Sequence, residues 1–275
     1  MDYFELNMAN FGDLDPEIAM AQLAEMGFES FMETETGILG FIREDEFNEG
    51  PVAEYLRQLS ADHGVTSGLR KVEAQNWNAI WESAYEPVTI AGKCQVRAPF
   101  HTPLAEIRYD IVIEPKMSFG TAHHETTSLM LQLILEEDLK GKRVLDMGCG
   151  TGVLAILAHK MGAGEVVAID NDDWAFANAL DNMEKNDASS VLVIQGDASS
   201  IPSQEYDLII ANINRNVLLA DIPVYARFLN PGGALLVSGF YTHDLDQIRE
   251  VSAQSGLQYL GHQVKNDWVG AKFIK

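Results

Sequence analysis

The chain has 275 residues, of which 47% are hydrophobic and 22% charged. That is ordinary globular composition, with room for one large domain or two smaller ones. A formal net charge of −22 argues against a bulk surface that binds nucleic-acid phosphates or an anionic membrane; it leaves a basic partner, or simple solubility, as its meaning. Two cysteines, Cys94 and Cys149, make no disulfide framework. The start, Met1 to Glu5, lacks a leader's basic region and apolar core, and no run reaches the roughly 18 apolar residues of a membrane span. A cytoplasmic protein is expected.

Residues 1–72 read as a small unit. Phe4, Leu6 and Met8 alternate with Tyr3, Glu5 and Asn7, the period-2 pattern of a half-buried strand. Asp15-Pro16 opens a helix whose Ile18, Ala21, Gln22 and Glu25 share a pitch, with Gly27 to stop it. Strands follow at Phe28–Glu33 and Ile38–Arg43, around a turn at Thr36-Gly37. A helix over Pro51–Asp62 closes at Gly64, and Val65–Val72 supplies a last strand. The order βαββαβ is the ferredoxin-like arrangement. The unit holds 4 basic and 15 acidic residues, half of the total charge excess. No cluster in it has catalytic spacing, so it is expected to serve recognition. Residues 73–92 read as a linker helix. Trp77 and Trp81 share one face there and either pack against a neighbouring domain or bind.

Residues 93–275 form the second unit. Short strands are expected at Gln95–Ala98 and Ile107–Glu114, and a buried helix through Leu129–Leu135. Apolar strands then alternate with helices: Arg143–Met147 with Leu154–Met161, Val166–Ile169 with Trp174–Lys185, and Val191–Ile194. Tyr206–Ala211 precedes a helix at Val217–Phe228. Ala234–Ser238 precedes His243–Ser255, and two strands close the chain. Such a pattern predicts an α/β fold, a parallel sheet covered on both faces, whose ligands bind beyond the carboxyl ends of the strands.

The informative loop lies there. Asp146-Met147-Gly148-Cys149-Gly150-Thr151-Gly152 joins the first strand of that sheet to a helix. Its glycines permit positive φ and let a ligand approach the backbone, and the helix presents free N–H groups. The G-x-G-x-G spacing is not the dinucleotide G-x-G-x-x-G. It resembles the class I (Rossmann-like) S-adenosylmethionine-dependent methyltransferases. Asp170, 22 residues beyond Gly148, can accept both ribose hydroxyls, or can be a helix-start acid favoured by the macrodipole. Asp197, after the third strand, can meet the adenine amine or do nothing of the kind. Asn212, after the fourth, suits the reactive end because an uncharged amide does not oppose a sulfonium; it can equally cap the next helix.

Upstream, Phe119-Gly120-Thr121, His124 and Thr126-Thr127 resemble the Phe-Gly-Thr-Gly-Thr-His-Pro-Thr-Thr pattern of the PrmA family, the bacterial methyltransferases of large-subunit ribosomal protein L11. Ala122, His123 and Glu125 depart from it. The resemblance extends over nearly the whole chain. It implies a ferredoxin-like N-terminal domain, a linker and a methyltransferase domain, with Thr127, Gly148, Asp170 and Asn212 at the cofactor. It also implies methyl transfer to lysine ε-amino groups and an N-terminal α-amino group of a basic ribosomal protein. A monomer is expected, binding neither nucleic acid nor membrane. No general base is assigned. The pair His123-His124 could ligate a metal, but only Glu125 accompanies it, and no metal is expected. A methyltransferase of another protein or of a small molecule, and a binding protein without activity, are the competing readings.

Overall fold

The computed structural model describes residues 2–12, 14–34, 37–72, 86–114, 120 and 122–275. Contacts divide the chain into two units, Met1–Tyr85 and Glu86–Lys275.

Alternating apolar residues build the first unit. Its elements run β1 (Tyr3–Ala9), α1 (Pro16–Glu25), β2 (Ser30–Thr34), β3 (Gly37–Arg43), α2 (Glu49–His63) and β4 (Thr66–Val72). The sheet order is β2-β3-β1-β4, antiparallel throughout, which is the ferredoxin-like arrangement. Asp15 caps α1 by accepting the Glu17 N–H at 3.0 Å, and Pro16 loses nothing at the first helical position. Leu6, Met8, Ile38 and Ile42 from the strands meet Ala19, Leu23, Val52 and Leu59 from the helices. The residues that share a pitch in the sequence lie on the other face of α1. Ile18 is 55% exposed and Ala21, Gln22 and Glu25 face solvent. The four share a pitch, but Ala19 and Leu23, four apart, are the pair that meets the sheet.

In the second unit a small sheet comes first. β5 (Val88–Ile90) pairs antiparallel with β6 (Cys94–Arg97), which pairs parallel with β7 (Tyr109–Val112). The expected linker helix over 73–92 thus needs correction at its end, where residues 88–90 are strand. Residues 73–85, with Trp77 and Trp81, lie outside the described residues.

The main body follows: α3 (Glu125–Leu135), β8 (Arg143–Met147), α4 (Val153–Lys160), β9 (Glu165–Asp170), α5 (Asp173–Lys185), β10 (Leu192–Gln195), β11 (Tyr206–Asn212), α6 (Arg215–Phe228), β12 (Leu229–Tyr241), α7 (Leu245–Gln254), β13 (Gln258–Lys265) and β14 (Trp268–Ile274). The seven strands lie in the order β10-β9-β8-β11-β12-β14-β13. The first five are mutually parallel, and β14 runs against both its neighbours. Successive strand side chains take opposite faces. Val144, Val166, Leu208 and Leu236 pack with Met130, Leu154 and Leu157 on one side. Leu145, Val167, Ile209 and Leu235 pack with Leu218, Ile222 and Ile248 on the other. Both faces are covered, which is why the strands read as continuous apolar runs. From β8 the chain winds outward through β9 and β10, then returns to β11 on the other side of β8. That reversal opens a crevice at the carboxyl ends of β8 and β11.

Candidate active site

The glycine loop fills the crevice's floor. Gly148, Gly150 and Gly152 have φ of 66°, 56° and 78°, a region that costs other residues. Space is as restrictive as conformation. A Cβ on Gly148 would lie 2.1 Å from Ile213 Cγ2, and one on Gly152 would lie 2.6 Å from Met183 Cε. The N–H groups of Gly148 and Cys149 both donate to the Ile169 carbonyl, at 2.8 and 3.1 Å, which hangs the loop on β9. Beneath it Asp146 is fully buried. Its Oδ2 accepts the Ala155 N–H at 3.1 Å, while its Oδ1 has no partner. Burial pushes its carboxyl up to about 7, with the Asp170 charge acting in the same direction and the Ala155 bond opposing.

Asp170 ends β9 and faces the loop. Its Oδ2 accepts the Gly150 N–H at 2.8 Å and its Oδ1 the Asp172 N–H at 3.0 Å. A carboxylate has about four acceptor sites, so sites remain for two hydroxyls. The helix-start alternative falls to a neighbour, since Asp172 caps α5 through the Ala175 N–H at 2.8 Å. Gly148, Gly150, Asp170 and Asn212 line one cavity of about 590 Å³. Asp197 is not among its lining residues. It starts a short helical turn, its Oδ1 accepting the N–H and hydroxyl of Ser199 at 2.8 and 2.6 Å, and these bonds hold its carboxyl below the usual range.

Asn212 ends β11 at the cavity. The capping role it could have had belongs to Asn214, whose Oδ1 accepts the Val217 N–H at 3.2 Å. The Asn212 Nδ2 donates to Thr127 Oγ1 at 3.4 Å. Thr127 differs from expectation: it is fully buried in α3, outside the cavity lining, and Thr126 lines the wall instead. The two adjacent threonines point to different faces of one helix, and spacing alone did not say which faced inward. Gly120 docks on the glycine loop, its carbonyl accepting the Thr151 hydroxyl at 2.7 Å. Phe119 and Thr121 lie outside the described residues. His124 caps α3, its Nδ1 accepting the Thr126 N–H at 3.3 Å, and its ring meets Trp268 edge-on at 4.9 Å. The His123 Nε2 pairs with the Glu86 carbonyl at 2.9 Å. Among the described residues no group of three or more His, Cys, Asp or Glu is disposed to hold a metal, and no helix is long and apolar enough to cross a membrane.

Sequence reasoning missed Ile213, Gly239 and Trp268, all on the cavity wall. Gly239 has φ 97°, and a Cβ there would lie 2.1 Å from the Ile213 carbonyl oxygen. A glycine near the end of a parallel strand was the available signal for it. Trp268 opens the antiparallel strand, and its ring lies against Tyr241 with centroids 4.0 Å apart and planes tilted by 32°, a pairing with no local sequence mark.

Comparison with known proteins gives one consistent result. The profile of the family described as ribosomal protein L11 methyltransferase (PrmA) matches residues 14–275. A protein of that name from Bacteroides fragilis is 39% identical over the full length of both chains. One from Phocaeicola vulgatus is 43% identical over 94% of this chain and 93% of its own. Among solved structures, a ribosomal protein L11 methylase from Lactobacillus delbrueckii subsp. bulgaricus superposes with a TM-score of 0.64. It is 28% identical and covers 69% of this chain and 98% of its own.

Proposed function

The chain belongs to the ribosomal protein L11 methyltransferase (PrmA) family and is an S-adenosylmethionine-dependent methyltransferase, and from that premise we propose that it methylates lysine ε-amino groups and the N-terminal α-amino group of ribosomal protein L11. The observation that carries the reading is the convergence of Gly148, Asp170 and Asn212 on one cavity at the switch point of the sheet. The residues fit the cofactor. At Gly148 the backbone is bare where any Cβ would collide with Ile213, and Asp170 keeps acceptor sites beyond its two backbone bonds.

In this reading the glycine loop and Asp170 would hold the adenosine half of the cofactor, with Asp170 taking the ribose hydroxyls. Asn212 would lie at the methyl end, oriented by Thr127, whose burial leaves it few other rotamers. When bound, S-adenosylmethionine supplies an electrophilic methyl group, which the amine lone pair takes as the carbon–sulfur bond breaks toward sulfur. The chain's part is to hold the amine in line and exclude water. Such positioning is worth about 7–11 kcal/mol for well-oriented reactants. The amine must arrive without its proton, since an ammonium has no lone pair, and no side chain is assigned to remove it. Asn212 adds no charge that would hold the ammonium form in place. The acceptor protein would be the only macromolecular partner of a cytoplasmic monomer, with no nucleic acid or membrane involved.

Labelled cofactor, the full-length protein and ribosomal protein L11 provide the test. Label should appear in that protein, on lysine and N-terminal amines by peptide mass. A folded, cofactor-binding enzyme that leaves it unlabelled would overturn the acceptor and leave another protein or a small molecule as the substrate.

A further inference from the structure

Three asparagines stand four residues apart along α5 and its cap: Asn178, Asn182 and Asn186. They are 2%, 0% and 4% exposed. Asparagine is a poor helix-interior residue, and a buried amide is costly unless bonded. The Asn178 side chain accepts only from Asn182 Nδ2, at 3.4 Å, and its own Nδ2 has no partner among the described residues; the partners of the other two explain them. Asn186 bonds Val112 in both directions, its Oδ1 accepting the N–H at 2.8 Å and its Nδ2 donating to the carbonyl at 2.6 Å. Asn182 Oδ1 accepts the Glu114 N–H at 3.0 Å. Two residues of strand advance roughly 6.6 Å, and four residues of helix about 6.0 Å. The side-chain amides of α5 therefore match the repeat of the extended chain at Val112–Glu114 and partner it much as another strand would.

Asn182 differs from Asn186, whose Nδ2 also donates to the Asn182 carbonyl at 2.8 Å, in what it reaches. Its Nδ2 donates to the Thr151 carbonyl at 3.0 Å, inside the glycine loop. The Thr151 hydroxyl in turn donates to the Gly120 carbonyl at 2.7 Å. Asn182 and Thr151 thus hold Glu114 and Gly120, six residues apart in sequence, and join both to the loop. The loop also leans on α5 through Gly152, where a Cβ would lie 2.6 Å from Met183 Cε and 3.6 Å from Ala179 Cβ.

We propose that Asn182 is a positioning residue for cofactor binding, fixing the Thr151 carbonyl and with it the Gly150–Gly152 turn. The inference rests on the reading that this loop holds S-adenosylmethionine. Thr151 has one carbonyl and one hydroxyl, and the two tether the loop in different directions. Releasing the carbonyl frees the peptide plane that it shares with the Gly152 N–H, which closes the turn on the Cys149 carbonyl at 2.8 Å.

Asn186 supplies the control, since it makes bonds of the same kind to the same strand without touching the loop. Asn182→Ala and Asn186→Ala are compared by thermal melting and by calorimetric titration with S-adenosylmethionine and, separately, S-adenosylhomocysteine. Both variants should melt earlier. Only Asn182→Ala should lose affinity, by roughly tenfold for each ligand, the equivalent of about 1.4 kcal/mol. Asn182→Asp, which keeps an acceptor for the Glu114 N–H and loses the donor to the Thr151 carbonyl, is the second variant should Asn182→Ala fail to fold, and it should weaken both ligands. Unchanged affinity in a folded Asn182→Ala, or in Asn182→Asp, would overturn the proposal, as would an equal loss in Asn186→Ala. Failure of the wild-type chain to bind either ligand would instead overturn the reading of the cavity itself.

Discussion

Asp170 Oδ2 accepts the backbone N–H of Gly150 at 2.8 Å, so one carboxylate both braces the glycine loop and faces the cavity. Removing it should act twice. Asp170→Ala loses the acceptor for the ribose and frees the loop, whereas Asp170→Asn keeps one carbonyl oxygen. Hydrogen bonds to a charged group are worth about 1.5–3 kcal/mol each, so the alanine variant should bind S-adenosylmethionine on the order of a hundredfold more weakly. The asparagine variant should fall between it and the wild type. Calorimetry on folded protein checks the order; equal affinity of all three would remove Asp170 from the site.

Gly148 and Ile213 meet across the loop, and their contact predicts a rescue. Gly148→Ala puts a Cβ at 2.1 Å from Ile213 Cγ2 and adds a left-handed backbone penalty of about 1–2 kcal/mol. Ile213→Ala removes the obstructing methyl, so the double variant should regain part of the lost cofactor affinity, short of the backbone term. Gly239→Ala meets the Ile213 carbonyl oxygen instead, and Ile213→Ala should not rescue it. A double-mutant cycle on each pair measures the difference. Equal rescue of both would contradict the geometry.

Much of this site could be read before the fold was known, and the reason is local. Gly148, Gly150 and Gly152 sit within five residues, and Asp170 and Asn212 each follow an apolar strand, where a parallel sheet delivers ligand contacts. Contacts made across the fold left no such mark. Ile213 closes on Gly148 and Gly239, residues distant in sequence. Which of the adjacent Thr126 and Thr127 lines the cavity could not be read, because nothing in a one-residue step says which face turns inward. The asparagines of α5 were hidden by their polarity, since a helix with charged and amide residues looks solvated until its partner strand is known. Their spacing of four was the available clue.

Asp146 makes a prediction about pH. Burial lifts its carboxyl from 3.8 to about 7. An acid held above its unfolded value favours folding while protonated, so its penalty is absent below about pH 4, grows as pH rises, and is complete above about pH 7. Asp146→Asn keeps an oxygen for the Ala155 N–H and removes the charge. Melting temperatures of variant and wild type should agree near pH 4 and diverge through pH 5 to 7 in the variant's favour. The gap should then stay constant, at most a few kcal/mol in stability. A gap independent of pH would show that the carboxyl is not held neutral by its surroundings.

The N-terminal unit carries the last prediction, because its charge is left uncancelled. All four lysine and arginine side chains of residues 2–72 are already engaged: Arg43 with Asp45, Arg57 with Glu54, Arg70 with Glu5 and Lys71 with Glu44. Such surface pairs add little stability, and they leave no free cation to offset Glu17, Glu25 and Glu49, which are exposed. If this unit recognises a basic protein, its acids act over distance, raising the encounter rate and weakening as salt shortens the Debye length from roughly 30 Å at 0.01 M to about 8 Å at 0.15 M. Changing Glu17, Glu25 and Glu49 together to Gln should lower kcat/KM for intact ribosomal protein L11 severalfold at low salt. It should flatten the salt dependence and leave cofactor affinity unchanged, because every residue lining the cavity belongs to Glu86–Lys275. Initial rates against salt concentration, wild type beside the triple variant, decide it. Parallel salt curves would mean that these carboxylates serve solubility alone, and recognition would then have to lie with other residues.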